Sequence, residues 1–197
     1  MRPPFDRSET GHQPAVFGYG DPNADFHVIG DHPGVHGGER TGVPFTESTS
    51  GTTIQQLCRS AGFTSGPQER PTLDNCFWSY RHMCTLPGSR TPTEREYEDL
   101  EPFFDAELRA INAHVLVPVG PRATDHVLSA YTTQRRHFDL EMAELHAREI
   151  RGRGFMVIPL ADPSEWAESD RKSAEHRLRA VLRADYRQTK GVATTVG

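Results

Sequence analysis

The run GDHPGVHGGERTGVPFT, Gly30 to Thr46, constrains the fold of this chain more than any other stretch. It follows an apolar strand segment carrying Phe26, Val28 and Ile29, and it precedes a helix-like stretch from Ser50 to Ala61. Within it stand Gly30, Gly34, Gly37, Gly38 and Gly42, two prolines (Pro33, Pro44) and two histidines (His32, His36). A strand-to-helix connection usually takes about two to six residues. One this long and this rich in glycine lets backbone amides come close to a ligand. It does so at the strand end, where open α/β sheets bind their ligands.

Strands and helices alternate from that point on. Asp25–Gly30 reads as the first strand, and Ile54, Leu57, Cys58 and Ala61 give helical spacing to the segment from Ser50. Cys76–Met83 is a second, aromatic-rich strand. Thr93 with Glu96 three residues on is a capping box, followed by the apolar stripe Tyr97, Leu100, Phe104, Leu108 and Ile111. Val115–Gly120 is almost wholly apolar and so central. Pro121 opens a third helix, Phe155–Leu160 is a fourth strand, and a last helix runs from about Ser164 to Tyr186. The expected architecture is α/β: a three-layer α/β/α sandwich around a four-stranded parallel sheet. Residues 1–24, with scattered Pro, Gly and Asp, read as an extended arm, 25–187 as the domain and 188–197 as a mobile tail. The ends of three strands, Gly30, Cys84 and Leu160, converge on one cleft.

Three stretches at those strand ends carry a resemblance. The first run, the later Cys84-Thr-Leu-Pro-Gly-Ser-Arg-Thr-Pro-Thr93, and the shorter Pro159-Leu-Ala-Asp-Pro-Ser164 are similar in order and spacing to motifs of the uracil-DNA glycosylase superfamily, closest to families 4 and 5. The resemblance implies a DNA glycosylase acting on uracil or another deaminated base in base excision repair. Such an enzyme must flip the nucleotide out of the helix, hold the base, stabilise it as it departs and deliver water. Asp31 stands where family 4 places a water-positioning carboxylate, one methylene shorter. Glu47 is the second candidate for that role, and a loop acid near a helix start is its plainer reading. Ser48 stands in the slot where family 5 has its acid. His32 is the candidate acid/base or leaving-group donor, and His36 a loop-ordering residue. Gly30 and its neighbours offer backbone amides. Phe45 occupies the stacking position for the base, an interaction worth about 1–3 kcal/mol. Tyr80 aligns with the Asn that reads uracil, and it offers only a hydroxyl in more volume. Asp162 aligns with the histidine of the third motif, and with Ser164 it would shape selectivity. An ionised Asp162 would repel a departing anion by about 4 kcal/mol at about 4 Å and an effective dielectric near 20. Ordinary uracil excision is therefore expected to be poor unless His32 takes over as donor.

Other readings stay open. One is a homologue that binds DNA or a nucleobase without excising it, with Tyr80 and Asp162 as marks of lost chemistry. Another is a hydrolase for free nucleosides or other small molecules in the same cleft. The net charge of −5 gives no global attraction to nucleic acid, so DNA binding would rest on a local patch. Arg148, Arg151 and Arg153, with Arg135 and Arg136 upstream, are the candidates. Cys58, Cys76 and Cys84 form no disulfide framework, which points to a reducing cytoplasm. They are too few for the four-cysteine iron–sulfur cluster common in families 4 and 5, whose fourth position holds Leu100. Nor does their spacing, even with His82, fit a common zinc pattern. No metal or other cofactor is expected. No apolar stretch would span a bilayer, and the N-terminus lacks the apolar region of a secretory signal. The expected partner is DNA containing a damaged base, met by a monomer.

Overall fold

The computed structural model describes residues 14–132, 139–152, 154–184 and 186. Four parallel strands form its centre: β2 (Phe26–Gly30), β5 (Cys76–Tyr80), β6 (Val115–Pro118) and β8 (Met156–Val157). Two antiparallel strands of two residues each extend the edges, β1 (Tyr19–Gly20) beside β5 and β7 (Ile150–Arg151) beside β8, so the order is β1-β5-β2-β6-β8-β7. The four expected parallel strands are thus present inside a six-stranded mixed sheet. A hairpin of β3 (Thr64–Ser65) and β4 (Thr72–Leu73) stands apart from it.

Alternation along the strands sends side chains to two apolar layers. Phe26, Val28, Trp78, Val115 and Val117 pack against α2 (Thr49–Ala61) and α6 (Glu168–Arg183). Ile29, Leu116 and Val157 face α3 (Glu94–Ile111) and α4 (Pro121–Tyr131). Each helix begins where the sequence supplies a start signal. Ser48 accepts the Gly51 N–H at 2.9 Å ahead of α2. Thr93 and Glu96 form the capping box of α3, and Pro121 opens α4.

Several expected boundaries contract. The second strand stops at Tyr80 rather than Met83, although Arg81 and His82 still donate their N–H groups to the Gly30 and Asp31 carbonyls. The fourth strand is short because Pro159 has no N–H for the ladder. Ile158 and Leu160 nevertheless continue it by bonding to Leu116 and Pro118. The last helix is divided: a 3₁₀ turn, Pro163–Glu165, follows Asp162, and α6 begins only at Glu168. Its first turn is fixed by the Asp170 carboxylate, which accepts the Ala167 N–H at 2.8 Å. Residues 14–20 lie along the sheet edge, with Val16 fully buried and its N–H bonded to the Met83 carbonyl at 2.8 Å. Among the described residues, no helix is long and apolar enough to cross a membrane.

Candidate active site

The glycine-rich loop folds back at the end of β2, and Tyr80 ties it to the sheet. Tyr80, the last residue of β5, donates its hydroxyl to the Gly37 carbonyl at 3.0 Å and accepts the Phe45 N–H at 2.6 Å. Both sides of the loop are thereby tied to the sheet. Gly30 makes room for this: a Cβ there would lie 2.7 Å from the Tyr80 ring and 2.9 Å from His36 Nδ1. Gly37 has φ +86°, and a Cβ on it would collide with the Thr46 carbonyl. The short helix α1 (Pro33–His36) completes the turn.

Phe45, expected to stack on a base, is fully buried at φ 59°. Its ring meets Tyr80 edge-on at 5.3 Å and Trp78 edge-on at 5.6 Å. Tyr80 in turn lies near-parallel to His36 at 6.1 Å. Tyr80 packs edge-on beside Phe45, whose side chain has no exposed surface. Burial pushes the Tyr80 phenol well above its ordinary pKa, so the bridge is made by the neutral hydroxyl.

Outside this sealed interior lies an open cleft of about 610 Å³ at the carboxyl ends of the strands. Asp31, His32, His36, Arg122 and Asp162 all line it. Asp31 is its centre. One carboxylate oxygen accepts the Tyr97 hydroxyl at 2.6 Å, and the other faces Arg122 Nε at 3.9 Å. Arg81 and Arg122 lie over the Tyr97 ring at 4.8 and 4.6 Å. Arg122 is also ion-paired with Glu94. Burial raises the Asp31 pKa, and the Tyr97 hydrogen bond and the nearby guanidinium of Arg122 act against that rise.

The two imidazoles are neutral. Burial holds the pKa of His32 and of His36 down to about 4. His36 Nδ1 accepts the Asp31 N–H at 3.0 Å, which gives substance to a loop-ordering role and places the ring proton on Nε2. That Nε2 is buried without a hydrogen-bond partner, and so is Nε2 of His32, with 1% and 2% of the respective residues exposed. Both residues line the cleft, and nothing in the protein satisfies either buried nitrogen. Glu47, by contrast, is spent on the loop: it accepts the Arg40 N–H at 3.0 Å and pairs with the Arg40 guanidinium at 2.8 Å. On the third strand end, Asp162 accepts both the N–H and the hydroxyl of Ser164, at 2.9 and 2.7 Å. Ser164 itself is exposed.

Beside that loop runs the basic segment, which follows the short helix α5 (Met142–Leu145). Ala147 donates its N–H to the Pro159 carbonyl, and His146 Nδ1 accepts the Ala161 N–H, so Arg148 is carried exposed next to the Asp162 side of the cleft. Arg151, expected beside it, pairs with Met156 at the amino end of β8, because the antiparallel β7 runs away from the cleft edge. Arg153, Arg135 and Arg136 lie outside the described residues. The cysteines do not suit a cluster. Cys58 and Cys76 are buried together among α2 and β5 side chains, whereas Cys84 is buried in a separate group with Ala15, Met83 and Leu100. Three thiols dispersed in this way do not fit a four-cysteine iron–sulfur site. Among the described residues, no group of three or more His, Cys, Asp or Glu is placed to hold a metal ion.

Tyr97 and Arg122 are the residues that sequence reasoning passed over. Tyr97 is correctly part of the buried stripe of α3, but its hydroxyl tip was not visible in that stripe. Arg122 follows Pro121 in the first turn of a helix that starts at a strand end, and that position was the available signal.

The sequence profile of the uracil DNA glycosylase superfamily matches residues 17–184. Among curated relatives, a type-5 uracil-DNA glycosylase of Thermus thermophilus is 31% identical over 121 residues, 59% of this chain and 55% of that protein. The type-5 uracil-DNA glycosylase of Pyrobaculum aerophilum is 28% identical over 126 residues, 60% and 56% of the two chains. That of Mycobacterium leprae is 28% identical over 120 residues, 57% and 52%. The chain spans about half the length of the curated relatives it matches.

Proposed function

The chain belongs to the uracil-DNA glycosylase superfamily, and from that premise we propose that it is a DNA glycosylase, hydrolysing the N-glycosidic bond of uracil or another damaged base held in the outer cleft. The observation that carries this reading is the Asp31 carboxylate, fixed by Tyr97 at the end of a central parallel strand beside two imidazole Nε2 atoms that lack partners. A carboxylate whose pKa is raised by burial is a better base toward water near neutral pH than an ordinary one. Asp31 orients the water and takes its proton as the oxygen bonds to C1′. The electrons of the glycosidic bond leave with the base. His32 and His36 donate from Nε2 to the base. Arg148 contacts the phosphate backbone at the rim, an attraction that salt weakens.

A second reading keeps DNA or nucleobase binding without excision. The commitment of the Tyr80 hydroxyl to the loop backbone, which leaves it no group with which to read a base, and the carboxylate at Asp162 favour it. Alkali-induced strand cleavage of labelled oligonucleotides containing uracil, hypoxanthine or xanthine separates the two, with Asp31→Asn as control. Cleavage that disappears in the control is the result expected of a glycosylase. Binding without cleavage on any damaged base contradicts it.

A further inference from the structure

We infer that the outer cleft is built for a base that is positively charged before excision and leaves as a neutral molecule, an N-alkylated purine such as N7-methylguanine. This rests on the glycosylase reading above and changes the class of base. The charge of the cleft is the first reason. Among the described residues, Asp31, Glu94 and Asp162 line it, and the guanidinium of Arg122 in its wall is itself engaged by Glu94. His32 and His36 contribute no positive charge near neutral pH.

Such a wall opposes the release of uracil, whose ring nitrogen takes the bond electrons and departs as an anion. It suits the opposite case. In an N7-alkylated purine the ring already carries a positive charge. When the bond from C1′ to N9 breaks, its electron pair returns to the ring and cancels that charge. The water oxygen bonds to C1′, and its proton passes to the Asp31 carboxylate. Water is consumed, and an abasic sugar, a neutral purine and one proton are produced. The carboxylates favour both the bound cation and the positive character that builds on the sugar.

The second reason is independent of charge. His32 and His36 line the same cleft, and Nε2 of each is a buried donor or acceptor without a partner. The Asp31 N–H on Nδ1 makes the His36 atom a donor. A purine presents acceptors such as O6 that would satisfy it, and an empty polar wall of this kind marks a ligand. Size agrees. The cleft, about 610 Å³, has room for two fused rings and an alkyl group.

The test is a direct comparison of base release, by the full chain, from duplexes carrying one N7-methylguanine or one uracil, each measured above its protein-free rate. N7-methylguanine is expected to be released at least tenfold faster. Asp162→Asn keeps the oxygen that accepts from Ser164 and removes the charge. It should lower the ratio of the two rates about tenfold, slowing the methylated base and quickening uracil. Faster release of uracil overturns the inference and leaves the glycosylase reading standing. A variant that slows both substrates equally also overturns it, since Asp162 would then act only on the loop. No release from either duplex sinks both.

Discussion

The two edges of the parallel sheet are built from the same residue types and put to opposite uses. At the amino ends of the strands, Asp25 pairs with His114 Nδ1 at 2.7 Å and accepts the Tyr186 hydroxyl at 3.0 Å, while Asn75 accepts the Asp25 N–H at 2.8 Å. At the carboxyl ends, Asp31 accepts the Tyr97 hydroxyl, but His36 bonds the Asp31 backbone and not its carboxylate. The first cluster closes on itself and ties the C-terminal part of the chain to the start of three strands. The second leaves a carboxylate oxygen at a loose 3.9 Å from Arg122 and two imidazole nitrogens without partners. An aspartate, a histidine and a tyrosine in contact are therefore no sign of chemistry by themselves. The polar capacity left unspent at a cleft is the sign.

The contrast should be most visible in acid. Burial holds His27 at about 3 and His32, His36 and His82 at about 4, below the value near 6.5 expected in the unfolded chain. Groups depressed in this way contribute stability that is present above pH 6.5 and is lost as pH falls toward their folded values. Full titration is worth at most about 5 kcal/mol for His27 and about 3 kcal/mol for each of the others. Glu107, raised to about 7 by burial, and Asp31, also raised by burial, work with the opposite sign over part of that range, but they are two groups against the four histidines. Unfolding temperature should fall steeply between pH 7 and pH 4.5, and hydrogen exchange should rise first in the loop holding His32 and His36. A flat profile would contradict the burial of neutral histidines.

Tyr80→Asn comes next in size. Loss of a buried ring that bridges Phe45 and Gly37 should cost about 3–5 kcal/mol, read by urea unfolding, and should uncover the face of Phe45. Uracil release by the folded fraction should rise. A variant of wild-type stability would mean that Tyr80 does not seal the loop.

His36 can be divided into its two halves. Asn keeps an acceptor near Nδ1 and loses the Nε2 donor, so His36→Asn should retain stability and slow base release about tenfold. Gln keeps the distal donor and strands the Asp31 N–H, at a cost of about 1–3 kcal/mol. Equal behaviour of the two variants would remove the donor role. The smallest effect belongs to Tyr97→Phe. Its hydroxyl favours the Asp31 carboxylate, so its loss raises the Asp31 pKa further and should move the acid limb of the pH–rate profile to higher pH. A shift to lower pH would exclude Asp31 as the titrating base.

Much of this molecule is legible in its sequence wherever a local rule has a local cause. The capping box at Thr93 and Glu96, Pro121 at a helix start and the apolar runs of β2 and β6 behave as their chemistry requires. The edge strands β1 and β7 were illegible because two residues hold no period and are set by the partner strand. The site divides in the same way. Asp31 and His32 are marked by their place at a strand end. The closure of Phe45 by Tyr80 is not, since it depends on a contact between residues 35 apart in sequence. The diversion of Glu47 to Arg40 likewise depends on how a loop closes on itself.

The most direct test sets the two edges against each other in one experiment. Asp31→Asn and Asp25→Asn are each measured for base release from the damaged duplex on which the wild-type chain is most active, and for thermal unfolding. Asp31→Asn should cut release by about 100-fold or more, as loss of a general base does, and keep its unfolding temperature. Asp25→Asn should keep release and lose about 1–3 kcal/mol through its stranded partners. Release that survives Asp31→Asn, or is abolished only by Asp25→Asn, would place the chemistry elsewhere.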